Sequence, residues 1–321
     1  MSTPMTLPEP KSPADKSIPS AQTVRPDAWS AHAPVSPTLC GRAVVTDRAL
    51  VMAIVNRTPD SFYDRGSSFT DDGAKSRVEQ VVAEGADIVD IGGVKAGPGA
   101  DVDAAEEIDR VLPMVEWIRN RHPDLIISVD TWRADVARKA VDAGADLIND
   151  TWAGADPDLV SVAAEMSAGI VCSHTGGAVP RTRPHRVRYP DVVADVLTEV
   201  TTAADRAAAA GVRRDSIVID PTHDFGKNTH HGLALLRQVN VLVNTGWPVL
   251  MALSNKDFVG ETLGVGLEDR LEGTLAATAL AASAGARVFR VHEVAATRRV
   301  VEMVAAIAGT RPPARTVRGL A

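Results

Sequence analysis

Short apolar runs recur eight times along this chain, at residues 50–55, 87–91, 125–129, 145–148, 169–172, 217–219, 248–253 and 288–291. Each is almost unbroken by polar residues, which is how a strand buried on both faces reads. Helical patterns fill the intervals, at 74–84, 104–119, 134–143, 158–167, 190–210, 233–243, 267–284 and 294–308. Two of these end alike, as Glu84-Gly85-Ala86-Asp87 and Ala143-Gly144-Ala145-Asp146. There the glycine takes the left-handed cap and a small residue leads into the next strand. Eight strand-then-helix units predict an α/β fold of the (β/α)8 barrel type, an architecture of about 250 residues. An open doubly wound sheet is the alternative, but no Gly-x-Gly-x-x-Gly follows the first run to support it.

With 321 residues, 45% of them hydrophobic, the chain can bury a sizeable core in one domain. A formal net charge of −7 offers nothing global to draw it to phosphate polymers. Neither a nucleic-acid partner nor a membrane surface is therefore expected. Cys40 and Cys172 make no disulfide framework, and neither has a partner at metal-ligand spacing. Cys172, inside an apolar run, reads as a core residue. No run approaches the ~20 apolar residues of a membrane span, so a cytoplasmic protein is expected. Residues 1–36 mix proline with Ser, Thr and Lys without apolar periodicity and read as a disordered tail. They lack the continuous apolar core of a secretory signal. The barrel is assigned to 37–310 and a shorter second tail to 311–321.

A barrel gathers its chemistry at the C-terminal ends of its strands. In chain order these ends carry Asn56, Gly92 with Gly93, Asp130, Asn149 with Asp150, His174, Asp220, Ser254 with Lys256, and Arg290 with His292. Asp130, Asn149 and Asp220 suit a heterocycle with several N–H donors and acceptors. Asn56, Arg290 and His292 suit an anion such as a phosphate, with or without a metal. Any one of them could simply satisfy its own loop; their concentration at one end argues for a site.

Three other stretches stand out. The segment 174–189, with Arg181, Arg183, Arg186 and Arg188, reads either as a flap that recruits an anionic ligand or as a solvated, proline-punctuated loop. His223, His230 and His231 crowd one loop, but no Cys or carboxylate completes a ligand set, so they are expected to face solvent. Residues 267–284 are alanine-rich nearly all round, which suits close packing against a second subunit and predicts a homodimer.

Met52-Ala-Ile-Val-Asn-Arg-Thr-Pro-Asp-Ser-Phe62 resembles the first signature of dihydropteroate synthases. Asp87-Ile-Val-Asp-Ile-Gly-Gly93 with Pro98-Gly99 resembles the second. Ile127-Ser-Val-Asp-Thr131, Ile148-Asn-Asp150, Ile219-Asp-Pro221 with Phe225-Gly-Lys227, Leu253-Ser-Asn-Lys256 and Arg290-Val-His292 are similar to the remaining motifs, in order. The resemblance spans roughly residues 48 to 308, and the family fold is a (β/α)8 barrel. It implies the joining of a dihydropterin hydroxymethyl pyrophosphate to p-aminobenzoate, with pyrophosphate expelled in a Mg²⁺-assisted step. By the same resemblance Asp130, Asn149, Asp220 and Lys256 would hold the pterin. Asn56, Arg290 and His292 would hold the pyrophosphate, with Asn56 also near Mg²⁺. Such positive charge on a leaving group is electrostatic stabilisation and calls for no nucleophile.

The departures concern the second substrate, around Lys95, Pro98, Phe225 and Asp257. After the paired glycines the family usually continues Glu-Ser-Thr-Arg-Pro-Gly, whereas this chain has Val94-Lys95-Ala96-Gly97-Pro98-Gly99. The family's Ser-Arg-Lys-Ser has become Ser254-Asn255-Lys256-Asp257. Apart from that region, Arg57 stands in the first signature where Val is usual, and Ser173 where the family commonly has Met against the pterin. Losing a charge-assisted hydrogen bond to a carboxylate is worth about 1.5–3 kcal/mol, or one to two decades of affinity. The prediction is a retained pterin-pyrophosphate-type pocket with weak or absent dihydropteroate synthase activity. The alternatives are an active synthase of folate biosynthesis, an enzyme using another acceptor, and a non-catalytic ligand-binding or interaction protein.

Overall fold

The computed structural model describes residues 35–58, 70–182 and 188–318. Eight parallel strands form the sheet: β1 (Leu50–Asn56), β2 (Ile88–Gly92), β3 (Ile126–Asp130), β4 (Leu147–Asp150), β5 (Gly169–Ser173), β6 (Ile217–Asp220), β7 (Leu250–Met251) and β8 (Val288–Val291). Their hydrogen-bonded order is β6-β5-β4-β3-β2-β1-β8-β7. A bridge between Ile219 and Val249 joins the two edges, helped by Ile219 N–H donating to Pro248 O at 2.9 Å. The sheet thus closes into the (β/α)8 barrel expected from the repeat. The seventh strand begins late in its apolar run, where Pro248 has no N–H to give to a ladder.

Helices follow the strands in turn: α1 (Asp71–Ala83), α2 (Ala104–Arg121), α3 (Ala134–Asp142), α4 (Leu159–Glu165), α5 (Val192–Ala210), α6 (Thr229–Arg237), α7 (Val239–Val243), α8 (Asp257–Leu263), α9 (Leu271–Ser283) and α10 (Val294–Ile307). Gly85 and Gly144 have φ of +94° and +113°, the left-handed geometry that the two Gly-Ala-Asp endings require. The short helix α8 begins at Asp257, in a stretch for which the sequence predicts no helix. No helix among the described residues is long and apolar enough to cross a membrane. Most of residues 1–36 lie outside the described residues, as does the end of the second tail. Arg311, where that tail begins, pairs with Asp47 at 2.5 Å.

The inward-facing residues explain where the site must sit. Side chains two apart on a strand share a face. Near the N-terminal ends the barrel interior is apolar, with Leu50, Met52, Ile88, Ile126, Leu147, Val171, Val218, Leu250 and Val288 in one cluster. One or two steps of two further along, the same faces carry Asn56, Asp90, Ser128, Asn149, Ser173, Asp220 and Arg290. The register sets Asn56, Gly92, Asp130 and Asn149 at one level across four strands. A second core, between sheet and helices, is built from residues such as Val51, Val89, Val111 and Val196.

A small ribbon, Thr38–Leu39 with Arg42–Ala43, covers the apolar end and adds buried Leu39 to the inner cluster. Cys40, in this ribbon, packs so closely on Gly169 that a Cβ there would lie 2.5 Å from its sulfur and 2.7 Å from Ser216 O. Both cysteines are unbridged, and burial pushes the Cys172 thiol up to about 12 and the Cys40 thiol higher still. Gly169→Ala should cost about 1–3 kcal/mol through overpacking. Gly97→Ala, with nothing within 4 Å of its added carbon, should leave thermal stability unchanged. Denaturant unfolding of the two variants checks this.

Candidate active site at the carboxyl ends of the strands

An ion cluster occupies the upper barrel. The Arg290 guanidinium, reaching up from β8, donates Nε–H to Asp90 Oδ2 at 2.6 Å and Nη2–H to Asp130 Oδ2 at 2.8 Å. Asp90 is fully buried and also accepts from Ser128 Oγ and, at 3.2 Å, from Asn149 Nδ2. Burial opposes the charge on Arg290, but Asp90 and then Asp130 more than offset it and hold the guanidinium charged. Asp130 also accepts from Thr151 Oγ1 at 3.0 Å; burial nonetheless keeps its carboxyl above the usual range, against the pull of Arg290. Asn149 has its amide nitrogen on Asp90, while its buried Oδ1 has no partner among the described residues. Ser173 Oγ is in the same condition.

Asp220 ends β6 and accepts from Thr222 N at 2.7 Å; burial lifts its pKa to about 6, against that hydrogen bond and the charge of Lys227. Asp150, the neighbour of Asn149, instead turns onto its own loop and accepts from Trp152 N and Gly154 N. One step along a strand reverses the face, so of this pair only Asn149 belongs to the mouth. Lys256 is ion-paired with Asp224 at 2.5 Å.

Lys227 is a structural cation. Its Nζ lies 2.9–3.0 Å from the carbonyls of His174, Thr222 and Phe225 and from His174 Nδ1. Burial depresses its pKa to about 7. His174 faces Asp195 Oδ1 through Nε2 at 2.8 Å, with Glu199 at 3.6 Å. Burial and then Lys227 push its pKa down to about 4. Among the described residues these three, His174, Asp195 and Glu199, approach closely enough to be considered for a metal. However, the Lys227 ammonium shares its three N–H groups among four acceptors that include Nδ1, which favours the ring proton on Nε2, where it serves Asp195 and removes the lone pair a metal needs.

At the opposite wall, Ser254 Oγ lies 3.0 Å from both His292 Nδ1 and Glu293 Oε2. The hydroxyl donates to the carboxylate and accepts from Nδ1–H, which fixes the orientation of the His292 ring on this wall. Asn56, Asp130, Arg290 and His292 line one cavity of about 270 Å³, together with Lys256. Mg²⁺ prefers hard oxygens in an octahedron. Asn56 offers one neutral amide oxygen, whereas nearby Asp130 and Asp90 are held by Arg290. This donor set fits a Mg²⁺ that arrives with phosphate oxygens, not one caged by protein alone.

The expected second-substrate residues also converge. Lys95, Pro98, Phe225 and Asp257 line an adjoining cavity of about 460 Å³. Lys95, Asp224, Phe225 and Asp257 border both cavities. Asp257 does not stand as an isolated negative charge there, because Arg270 Nη1 holds it at 2.9 Å. Arg57 is buried and pairs with Asp71, tying the end of β1 to the start of α1. Of the basic segment, Arg181 is anchored to Ala100 O at 2.6 Å and lies 3.8 Å from Asp101, while residues 183–187 lie outside the described residues. Residues 59–69, with most of the first signature's second half, do so as well.

One expectation is corrected. His223 does not face solvent: it is buried on the cavity wall, whereas His230 is exposed and His231 closes a capping box with Asn228. Two site residues escaped sequence reasoning. Asp90 lies inside a strand rather than at its end, yet a carboxylate in an otherwise apolar, doubly buried run was itself a signal that a cation must meet it. Asp224 carried no such mark.

The model of the pterin binding enzyme family matches residues 52–292. A Mycobacterium leprae protein named "Inactive dihydropteroate synthase 2" is 70% identical over 287 residues, covering 88% of this chain and 99% of the relative. The dihydropteroate synthase of Bacillus subtilis is 40% identical over 263 residues, covering 81% and 89%. Among solved structures, a Yersinia pestis dihydropteroate synthase in a sulfonamide drug complex superposes with a TM-score of 0.80 at 33% identity, over 85% of this chain and 99% of that one. With the barrel, the strand-end motifs and these likenesses in agreement, the chain belongs to the pterin-binding enzyme family, as a divergent relative of the dihydropteroate synthases.

Proposed function

We propose that this protein binds a pterin-type ligand in its barrel mouth and has lost the condensation with p-aminobenzoate. The observation that carries the first half is the pair of buried polar atoms, Asn149 Oδ1 and Ser173 Oγ, without partners among the described residues beside Asp130 and Asp220. A buried acceptor left unpaired costs about 1–3 kcal/mol, which a planar ligand with N–H donors would relieve. In this reading Asp130, Asn149, Asp220 and Lys256 hold the heterocycle. Lys256 must then release Asp224. Arg290, His292 and Asn56 would face the pyrophosphate, and Asn56 would help to hold a Mg²⁺ that neutralises charge on the leaving group. The second half rests on the loop Val94–Gly97, which lacks the family's Thr and Arg. The name of the Mycobacterium leprae relative, "Inactive dihydropteroate synthase 2", points the same way.

The protein is further proposed to act in the cytoplasm as a homodimer, with no nucleic-acid or membrane partner. Leu280 of α9 and Met303 and Ile307 of α10 are exposed on helices that pack together, which supports a second copy as the cover of this face.

Titration calorimetry with the dihydropterin pyrophosphate should give saturable binding, while product formation with p-aminobenzoate stays near zero. Turnover comparable to that of ordinary synthases would overturn the proposal. Binding should also weaken as pH falls below 6. The ionised Asp220 accepts two parallel N–H groups and its protonated form does not, so each unit below its pKa of about 6 lowers affinity roughly tenfold. The combined change Val94→Glu, Lys95→Ser, Ala96→Thr, Gly97→Arg and Asp257→Ser should raise condensation activity. Gly97 has open space for the new side chain, and Arg270 is released from Asp257. An unchanged rate would mean that the lost activity lies elsewhere.

A further inference from the structure

A separate cavity of about 260 Å³ lies at the amino ends of the strands, opposite the mouth. Leu50 and Val288, which open β1 and β8, border it from below. Exposed Val35 and half-buried Val44, Val243 and Pro248 present apolar surface on its walls. This end of a (β/α)8 barrel ordinarily serves stability, with the chemistry kept to the other end. A cavity here that carries unmatched charge calls for a different explanation.

The charge comes from two arginines on the wall. Arg287, half-buried just before β8, donates to Arg48 O at 2.5 Å and to Val45 O. That uses two of its five N–H groups. The carboxylates whose field it feels are committed elsewhere: Asp87 grips Arg48 with both oxygens at 2.7 Å, and Asp47 pairs with Arg311. Burial brings the Arg287 pKa down to about 10 against the pull of Asp87, as befits a cation short of a counter-charge. Arg214 is exposed and lays its guanidinium over the buried Trp247 ring, 4.0 Å from the centroid. Among the described residues it makes no hydrogen bond or ion pair. Asp215, the carboxylate on this wall, already accepts from Arg213, Thr38 and Ser216. Carbonyls at the nearby helix ends are occupied too, Val243 O by Gly246 N at 3.1 Å and Ala282 O by Gly285 N at 3.0 Å.

An uncharged ligand would leave this charge unmatched, and a cation would add to it. An anion with an apolar body answers both the arginines and the valines, since a guanidinium meets a carboxylate in charge-assisted, forked hydrogen bonds. The volume falls below the range of about 300–1,000 Å³ typical of drug-sized sites, so the ligand is small. We infer that this cavity binds a small monocarboxylate, its carboxylate held by Arg287 and Arg214 and its apolar body on Val44, Val243 and Pro248. The site shares no lining residue with either cavity of the mouth, so the inference stands apart from the pterin reading.

The probes are hexanoate and hexanamide, which share a length and differ in charge. Calorimetry on the full chain at neutral pH should give saturable binding, roughly tenfold or more tighter for hexanoate. Arg287→Met should bring hexanoate down to the level of hexanamide. Arg214→Gln changes an exposed side chain, so its melting temperature should stay level while hexanoate affinity falls roughly threefold or more. It also covers the case in which the methionine variant does not fold. Lys256→Met, at the mouth, should leave hexanoate affinity unchanged. Absence of saturable hexanoate binding overturns the inference, as does equal or tighter binding of hexanamide. An affinity unmoved by Arg214→Gln or by folded Arg287→Met overturns it as well, and so does a loss in Lys256→Met.

Discussion

A guanidinium inside a closed barrel has to be met by carboxylates, and this requirement organises the upper half of the molecule. Arg290 rises from β8 between Asp90 of β2 and Asp130 of β3, two strands that are not its neighbours in the ladder on the far side of β1. Removing one member of such a buried pair costs about 3–5 kcal/mol, because the other is left charged and dry. The cluster therefore ties three strands together across the lumen and orients Asn149 and Ser128 by hydrogen bonds to the same Asp90. Arg290, Asp90, Asp130 and Ser128 are thus held by the protein's own contacts, so a ligand need not order them.

Below that floor the barrel is filled by Leu, Ile, Val and Met. Above it the mouth divides at Lys95, Asp224, Phe225 and Asp257 into two cavities of different character. One is ringed by amides, carboxylates, Arg290 and His292. The other is walled by Pro98 and two phenylalanines, with Lys227 turned onto backbone carbonyls and Asp257 held by Arg270. A family scaffold can keep one half of a two-ligand site and change the other because the two halves hang on different loops. The floor belongs to strand residues, whereas Val94–Gly97 and Asp224 sit on connections and Asp257 opens the short helix α8.

Much of this was legible without coordinates. Period-two alternation says that if Gly92 and Asp130 end their strands inward, Asp90 and Ser128 do too, and that a mid-strand Asp needs a cation. Strand-end bookkeeping alone passed over Asp90 because it attended to the last residue of each run. It also set Asp150 beside Asn149, although consecutive strand residues face opposite ways. Nothing local distinguishes His223 from His230 and His231, so the sequence predicts solvent for all three. The burial of His223 follows from Phe258 and α6 packing against it, and α8, which carries Phe258, had no pattern long enough to announce itself.

The sequence by itself determined the barrel, the end of it that carries chemistry, and the family. Those follow from local periodicity and from motifs whose order along the chain mirrors their order around the sheet. Tertiary structure alone decided which charges are available. Lys256 with Asp224, Asp257 with Arg270, and Arg290 with Asp90 and Asp130 are pairings between distant segments, and Coulomb attraction acts on separation in space, which no spacing in sequence encodes.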